Sequence, residues 1–285
     1  MYDDKYRVRF KTIPAASHGE EIKSSDKDVL FTQFHNHKDF EILIIKKGKA
    51  VFTVDGKDFE ANEGDVVLVN PYEIHSSVAL CEYLPFSFFC ITFDLSLLAS
   101  SPIHPAHTLC EKMKEGFVKF KTIIKNSEVS NLVSECENIF KEEEKGWEYL
   151  ISANIFRVFG ILIEGNLFYE NTALSKNKIF TLSVQKYIEK NFCESITSLD
   201  AAKHLSYDNS YFCRLFKNNF GKSFGDYLSF YRINVAKEHL VLGESVAKSA
   251  MAAGFNNLSY FTKVFKKYEG ILPSQYAKNL TVTHN

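Results

Sequence analysis

His35 and His37 stand two positions apart, and Glu41 follows four positions after His37. Even separations along an unbroken strand point side chains to one face, so two imidazoles and a carboxylate would share a surface. Imidazole and carboxylate donors suit divalent ions such as Zn, Fe, Ni or Mn. A second chemistry is written near the other end. The string Ser210-Tyr211-Phe212-Cys213-Arg214-Leu215-Phe216-Lys217 recurs as Ser259-Tyr260-Phe261-Thr262-Lys263-Val264-Phe265-Lys266. The small residues Ala202 and Ala250, which precede the two copies, are 48 positions apart. At helical spacing Phe212, Leu215 and Phe216 form an inner face, as do Phe261, Val264 and Phe265. Ser210, Tyr211, Arg214 and Lys217 lie outward in the first copy, and Ser259, Tyr260, Lys263 and Lys266 in the second. A polar, basic face beginning at a helix N-terminus is what reading a DNA major groove requires. Asp208 and Asn257 are placed to cap these helices. Gly254 suits the turn before the second one, where the first copy has Ser206.

The elements that must position these groups follow from periodicity. Residues 29–95 read as β: Phe40-Glu41-Ile42-Leu43-Ile44-Ile45 is apolar and β-branched, Asp55-Gly56 is a strong hairpin signal, and Asn70-Pro71 ends a further run. Many short strands with Gly and Pro turns predict an antiparallel barrel or jelly roll. Ser127–Lys145 and Trp147 to about Tyr169 read as an αα-hairpin, which either caps the barrel or supplies a dimer interface. The polar stretch 170–180 reads as a linker between a first domain at 1–169 and a second at 181–285. The second domain reads as short helices, with one longer helix carrying Tyr227, Tyr231, Ile233, Val235, Ala236 and Leu240 between the two repeat copies. The expected fold class is therefore α+β: an N-terminal β-barrel with an αα-hairpin, then an all-α domain of two helix-turn-helix units joined by a helix.

Composition bounds the function. The chain has 285 residues, 45% hydrophobic and 24% charged, which excludes a disordered or membrane-embedded polypeptide. Net charge is −1, but residues 181–285 carry 13 basic against 8 acidic residues, whereas 1–180 carry 21 against 27. A basic C-terminal third points to a polyanion partner. The six cysteines form no Cys-x-x-Cys pair and are expected as reduced thiols in a cytoplasmic protein, with Cys90 and Cys213 as buried apolar groups. No apolar leader opens the chain, and no segment is long enough to span a bilayer, so no membrane partner is expected. There is no nucleotide loop and no credible Ser-His-Asp or Cys-His arrangement.

Residues 181–280 resemble the DNA-binding domain of the AraC/XylS family of bacterial transcription regulators. The strings that carry the resemblance are SYFCRLFKNNFGKSFGDYLSFYRINVAKEHL and AGFNNLSYFTKVFKKYEGILPSQY. It implies two helix-turn-helix units bridged by a long helix, reading major grooves about one helical turn, roughly 34 Å, apart. Carried over, the candidate DNA contacts are Ser210, Tyr211, Arg214 and Lys217, with Asn256, Asn257, Ser259, Tyr260, Lys263 and Lys266. Three residues depart from the family pattern: Ser198 and Leu199 in the first unit and Ser249 in the second. These bear on helix packing. The string from His35 through Gly48, with Gly64, Pro71 and His75, resembles the two cupin motifs, although the second is one residue short and lacks its glycine. The resemblance implies that a metal, if present, is held by His35, His37, Glu41 and His75. The favoured expectation is a pocket without a cofactor, in which these four side chains and Phe88 bind an effector. The implied function is a one-component regulator, not an enzyme. Its expected partners are double-stranded DNA, a small-molecule effector, RNA polymerase and a second copy of the chain. The alternatives are a metal-dependent cupin enzyme and a regulator controlled by a protein partner.

Overall fold

The computed structural model describes residues 8–14, 29–80, 86–99, 101–142 and 144–282. The chain divides into two compact units, Met1–Leu174 and Ser175–Asn285.

The first unit is built on antiparallel strands: β1 (Val8–Pro14), β2 (Val29–His35), β3 (Phe40–Lys47), β4 (Lys49–Val54), β5 (Lys57–Asn62), β6 (Val66–Val69), β7 (His75–Ala79) and β8 (Ser87–Phe93). Short β9 (Val118–Phe120), β10 (Ile123–Ile124) and β11 (Phe168–Glu170) follow, with helices α1 (His107–Lys114), α2 (Ser127–Glu142) and α3 (Trp147–Glu164). Among the described residues the strands do not close into the expected barrel. They form a five-stranded sheet in the order β1-β8-β3-β6-β10 and a four-stranded sheet in the order β2-β7-β4-β5, while β9 pairs with β11. The jelly-roll alternative describes this better, because the chain alternates between two sheets at its turns.

Side-chain alternation explains the layering. Leu43, Ile45, Val67, Val69, Phe88 and Cys90 of the larger sheet meet Ala50, Phe52, Val54, Ala61 and Ala79 of the smaller one. The other face of the larger sheet carries Phe40, Ile42, Ile44, Val66, Leu68, Phe89, Ile91 and Phe93, packed on residues of α2 and α3 such as Val129, Leu132, Ile155 and Phe159. Both faces of β3 are buried, which is why its sequence is apolar without alternation. The αα-hairpin thus covers the sheet. Its second helix also keeps an exposed side, described below.

The second unit is all helix: α4 (Lys176–Asn191), α5 (Ser198–His204), α6 (Asn209–Phe220), α7 (Phe224–Val241), α8 (Val246–Ala252), α9 (Leu258–Glu269) and α10 (Pro273–Val282). The stretch read as linker is largely regular: β11 ends at Glu170, and Ser175 accepts a hydrogen bond from the Lys178 amide to start α4. A polar composition masked an N-cap signal there. Between the two repeat copies the first helices are displaced by 48 positions and the second helices by 49, so the turn of the second unit is one residue longer.

Candidate functional sites

The two helix-turn-helix units are locked by local chemistry. Asp208 accepts a hydrogen bond from the Tyr211 amide, and Asn257 from that of Tyr260. Ser206 and Gly254 take left-handed backbone angles, φ 60° and 78°. At Gly254 a side chain is excluded twice over, since a Cβ would fall 2.7 Å from both the Cys193 Cα and the Phe192 carbonyl oxygen. Thr197 and Asp200 form a reciprocal capping box on α5. The departures from the family pattern are accommodated: Leu199 is exposed, and buried Ser249 donates its hydroxyl to the Ser245 carbonyl.

Phe212, Phe216 and Phe220 of α6 pack on Phe224 and Tyr227 of α7. Phe261, Val264 and Phe265 of α9 pack with Ile233, Ala236 and Leu240 at the other end of α7. That 18-residue helix is about 27 Å long and sets the separation of the two units. The outward faces hold every proposed contact: Ser210, Tyr211, Arg214 and Lys217 on α6, and Asn256, Asn257, Ser259, Tyr260, Lys263 and Lys266 on or beside α9 are all exposed. Among the described residues the side chains of Arg214, Lys217, Lys263 and Lys266 make no ion pair or hydrogen bond. Asn257 is committed to its cap. Cys213, expected inside, is exposed. It follows Phe212 by one position and so turns to the outer face. Sequence reasoning passed over Tyr207. It sits in the first turn and stacks on Tyr211 with ring centroids 5.9 Å apart at 23°. The signal was available: an aromatic residue four positions before Tyr211 and beside its cap.

In the first unit His35, His37, Glu41 and His75 converge, each offering a ligand atom within 4.8 Å of the others. Their route differs from the one-strand expectation. β2 ends at His35, His37 lies in the crossover between sheets, and Glu41 belongs to β3 of the other sheet. His75 pairs in register with His35 across β2 and β7. The His35 and His75 rings lie 4.1 Å apart, and His37 lies 5.1 Å from His75. His37 Nε2 is 2.8 Å from Glu41 Oε2 and its Nδ1 is 2.9 Å from the Asp39 carbonyl. His75 Nδ1 is 2.9 Å from the Glu73 carbonyl, while its Nε2 lies 3.6 Å from Glu41 Oε2, beyond hydrogen-bond reach. That nitrogen is buried and makes no hydrogen bond.

Burial opposes ionisation of Glu41, but the hydrogen bond with His37 and the nearby charges of His37 and His75 outweigh it and hold the carboxyl well below its ordinary range. Burial likewise opposes charge on His37, and the Glu41 hydrogen bond and charge raise it above the ordinary imidazole value. The donor set of three imidazoles and one carboxylate fits a divalent transition metal, and the free Nε2 of His75 is the orphaned atom such an ion would satisfy. Bound there, an ion would supply Lewis acidity. Phe88 is not part of this cluster: it is buried between the sheets and pairs with Ile45, four residues along β3 from Glu41. Phe89 and Phe93 lie on the opposite face of β8.

α3 presents a third surface. Tyr149, Ala153, Phe156, Gly160 and Ile163 all lie on its exposed side, at intervals of four, three, four and three residues. Among the described residues no helix is long and apolar enough to cross a membrane.

Comparison with known proteins joins these surfaces to a family. Residues 18–159 match a model described as an AraC-like ligand binding domain, and residues 201–279 match a helix-turn-helix domain. The Msm operon regulatory protein of Streptococcus mutans is 24% identical over 85% of this chain and 84% of its own. The HTH-type transcriptional regulator YdiP of Escherichia coli is 24% identical over 84% of this chain and 78% of its own. ToxT of Vibrio cholerae, solved with (E)-4-(8-methylnaphthalen-1-yl)but-3-enoic acid, aligns over 97% of this chain and all of its own, with a TM-score of 0.59 and 17% identity. Together the two matched domains span more than three quarters of the sequence, and the chain belongs to the AraC/XylS family of DNA-binding transcription regulators that carry a ligand-binding N-terminal domain.

Proposed function

We propose that the chain is a one-component regulator, not an enzyme, that grips operator DNA through α6 and α9 and responds to a small molecule held at the His35–His37–Glu41–His75 cluster. The observation that carries the DNA half is the set of four unpartnered cations, Arg214, Lys217, Lys263 and Lys266, on two recognition faces fixed by one helix. In this reading Tyr211, Ser210, Ser259, Tyr260 and Asn256 touch bases or sugars, and the four cations meet bases or phosphates. The observation behind the effector half is the buried, charged cluster where the two sheets face each other, the kind of convergent polar group that marks a ligand site.

The regulator works as a homodimer joined through α3. Two copies of its exposed side, run antiparallel, place Phe156 opposite Gly160 and Ile163 opposite Ala153, large against small at each layer and symmetric about one two-fold axis. Joining two DNA modules raises affinity through effective concentration. The site of action is the bacterial cytoplasm, with RNA polymerase the protein met at the promoter.

The test is a salt titration against the DNA upstream of the protein's own gene and against random DNA of equal length. Preferential binding that weakens steeply with salt is expected. Equal, salt-insensitive binding to both would overturn the reading.

A further inference from the structure

We propose that Tyr268 and Glu269, in the last turn of α9, clamp α7 from two sides and set the phase of the second recognition helix against the first. The clamp thereby decides which spacing between its two DNA boxes the protein accepts. The inference rests on the reading of α6 and α9 as recognition helices and adds two positioning residues to it.

The clamp follows from where each helix seats. α6 packs on the first turns of α7, with Phe212 and Phe216 against Phe224, and Phe216 and Phe220 against Tyr227. The apolar side of α9 packs farther along, with Ile233, Ala236 and Leu240. Apolar burial is non-directional, so it holds α9 against α7 but fixes its rotation weakly. Two directional contacts supply what is missing. Tyr268 follows Phe261 by seven positions and so lies on the same inner side of α9. Its hydroxyl donates to the Asp226 carbonyl at 3.0 Å, and its ring meets that of Phe230 edge-on, centroids 5.4 Å apart. Glu269 reaches the other way, with both carboxylate oxygens 2.8 Å from the Lys237 ammonium. Asp226 and Lys237 are eleven positions apart, about 16 Å along the helix. Anchors that far apart resist pivoting of α9 on its apolar seat.

The Asp226 anchor carries the link to the first unit. Asp226 precedes Tyr227, against which α6 packs, so one turn of α7 serves both recognition helices as a reference. That turn is itself fixed: Ser223 accepts from the Asp226 amide and donates to its carboxylate at 2.6 Å. Lys267 lies 3.5 Å from the same carboxylate, but both groups are well exposed and the pair adds little. On DNA, one extra base pair between the boxes displaces the second by about 3.4 Å and turns it by about 35°. A clamped α9 cannot follow that shift; a released one can.

The experiment uses the full chain and an operator selected from a random pool, its boxes mapped by footprinting. Affinity is measured for a fragment carrying a single pair of boxes, and for versions with one base pair inserted or removed between them. The parent should bind the altered spacings at least about 10-fold more weakly. Tyr268→Phe should keep its affinity for the selected spacing within about 3-fold. It should narrow the gap to the altered spacings by about 2- to 12-fold, the range spanned by loss of one intramolecular hydrogen bond. Glu269→Gln should narrow it likewise. The ratio compares DNAs of nearly equal charge, so any general change in phosphate attraction cancels. Ser245→Ala removes the N-cap of α8 in the same unit, at a comparable cost in thermal stability, and should leave the ratio as in the parent. Either clamp variant keeping the parent's ratio would remove that residue from the clamp. Equal narrowing by Ser245→Ala would overturn the proposal in favour of general loosening. A parent indifferent to spacing would overturn it while leaving the regulator reading intact. Failure to select any operator would overturn that reading, and the clamp with it.

Discussion

Arg214 and Lys263 occupy equivalent places on α6 and α9, exposed and without a partner among the described residues. Replacing either with Ala removes a cation but no packing. We expect unchanged thermal stability, weaker operator binding and a salt slope reduced by about 1, read from affinities across a salt series. A variant that keeps the parent's slope would remove that residue from the interface. Gly254 makes the opposite kind of demand. Its φ of 78° and the 2.7 Å approach of a Cβ to the backbone of residues 192 and 193 predict that Gly254→Ala costs at least about 1–3 kcal/mol in urea denaturation. Gly221→Ala meets only the backbone strain, because nothing lies within 4 Å of its Cβ, and should cost less. This scale was the most legible from sequence, since caps and turn glycines act over three or four residues. Asp208, Asn257 and Gly254 do what their types suggest. Cys213 and Tyr207 were misjudged or missed because their role depends on which side of α6 faces outward.

At the scale of elements, α3 shows what sequence periodicity leaves open. Its buried residues, Ile151, Ile155, Val158, Phe159 and Leu162, and its exposed apolar residues are interleaved, so the helix reads as apolar all round. Only the packed sheet separates the two sides and leaves Tyr149 81% and Phe156 43% exposed. Gly160 is then informative. It lies mid-helix, and a Cβ there would meet nothing within 4 Å, so nothing in the described chain requires a glycine. A helix interior glycine costs roughly 0.5–1 kcal/mol relative to Ala. Gly160→Ala should therefore stabilise the folded protomer by about that amount while weakening self-association, and Gly160→Leu should abolish dimers. Chemical denaturation and sedimentation equilibrium of the same variants decide it. An alanine variant that gains stability and dimerises as tightly as the parent would remove α3 from the interface. The membership of the His35–His37–Glu41–His75 cluster was legible in the sequence, but its route was not, for a related reason. Alternation explains residues within one strand, but His35, His37 and Glu41 straddle a crossover between sheets, and His75 arrives from a third strand.

For the whole molecule, the question is how an event at the cluster reaches α6 and α9, and Lys119 is where the route can be cut. Its ammonium lies 2.8 Å from both Glu73 and Asp55, and although burial opposes its charge, those carboxylates hold it above the ordinary lysine range. Lys119→Met leaves His35, His37, Glu41 and His75 in place but frees the Glu73 carboxylate that links His75 to β9. The loss of a part-buried ion pair should cost about 1–3 kcal/mol. Stability loss alone must not be mistaken for lost coupling, and Lys46→Met provides the comparison. Lys46 lies 2.9 Å from Glu137 of α2, a carboxylate equally hidden from solvent but off the path to β9. Both variants should unfold at lower denaturant and still bind the effector within a few-fold of the parent. Only Lys119→Met should lose the effector's influence on operator affinity. If both lose it, the response depends on general rigidity; if neither does, the signal leaves the cluster by another route, with the direct tie between the two sheets the first to test.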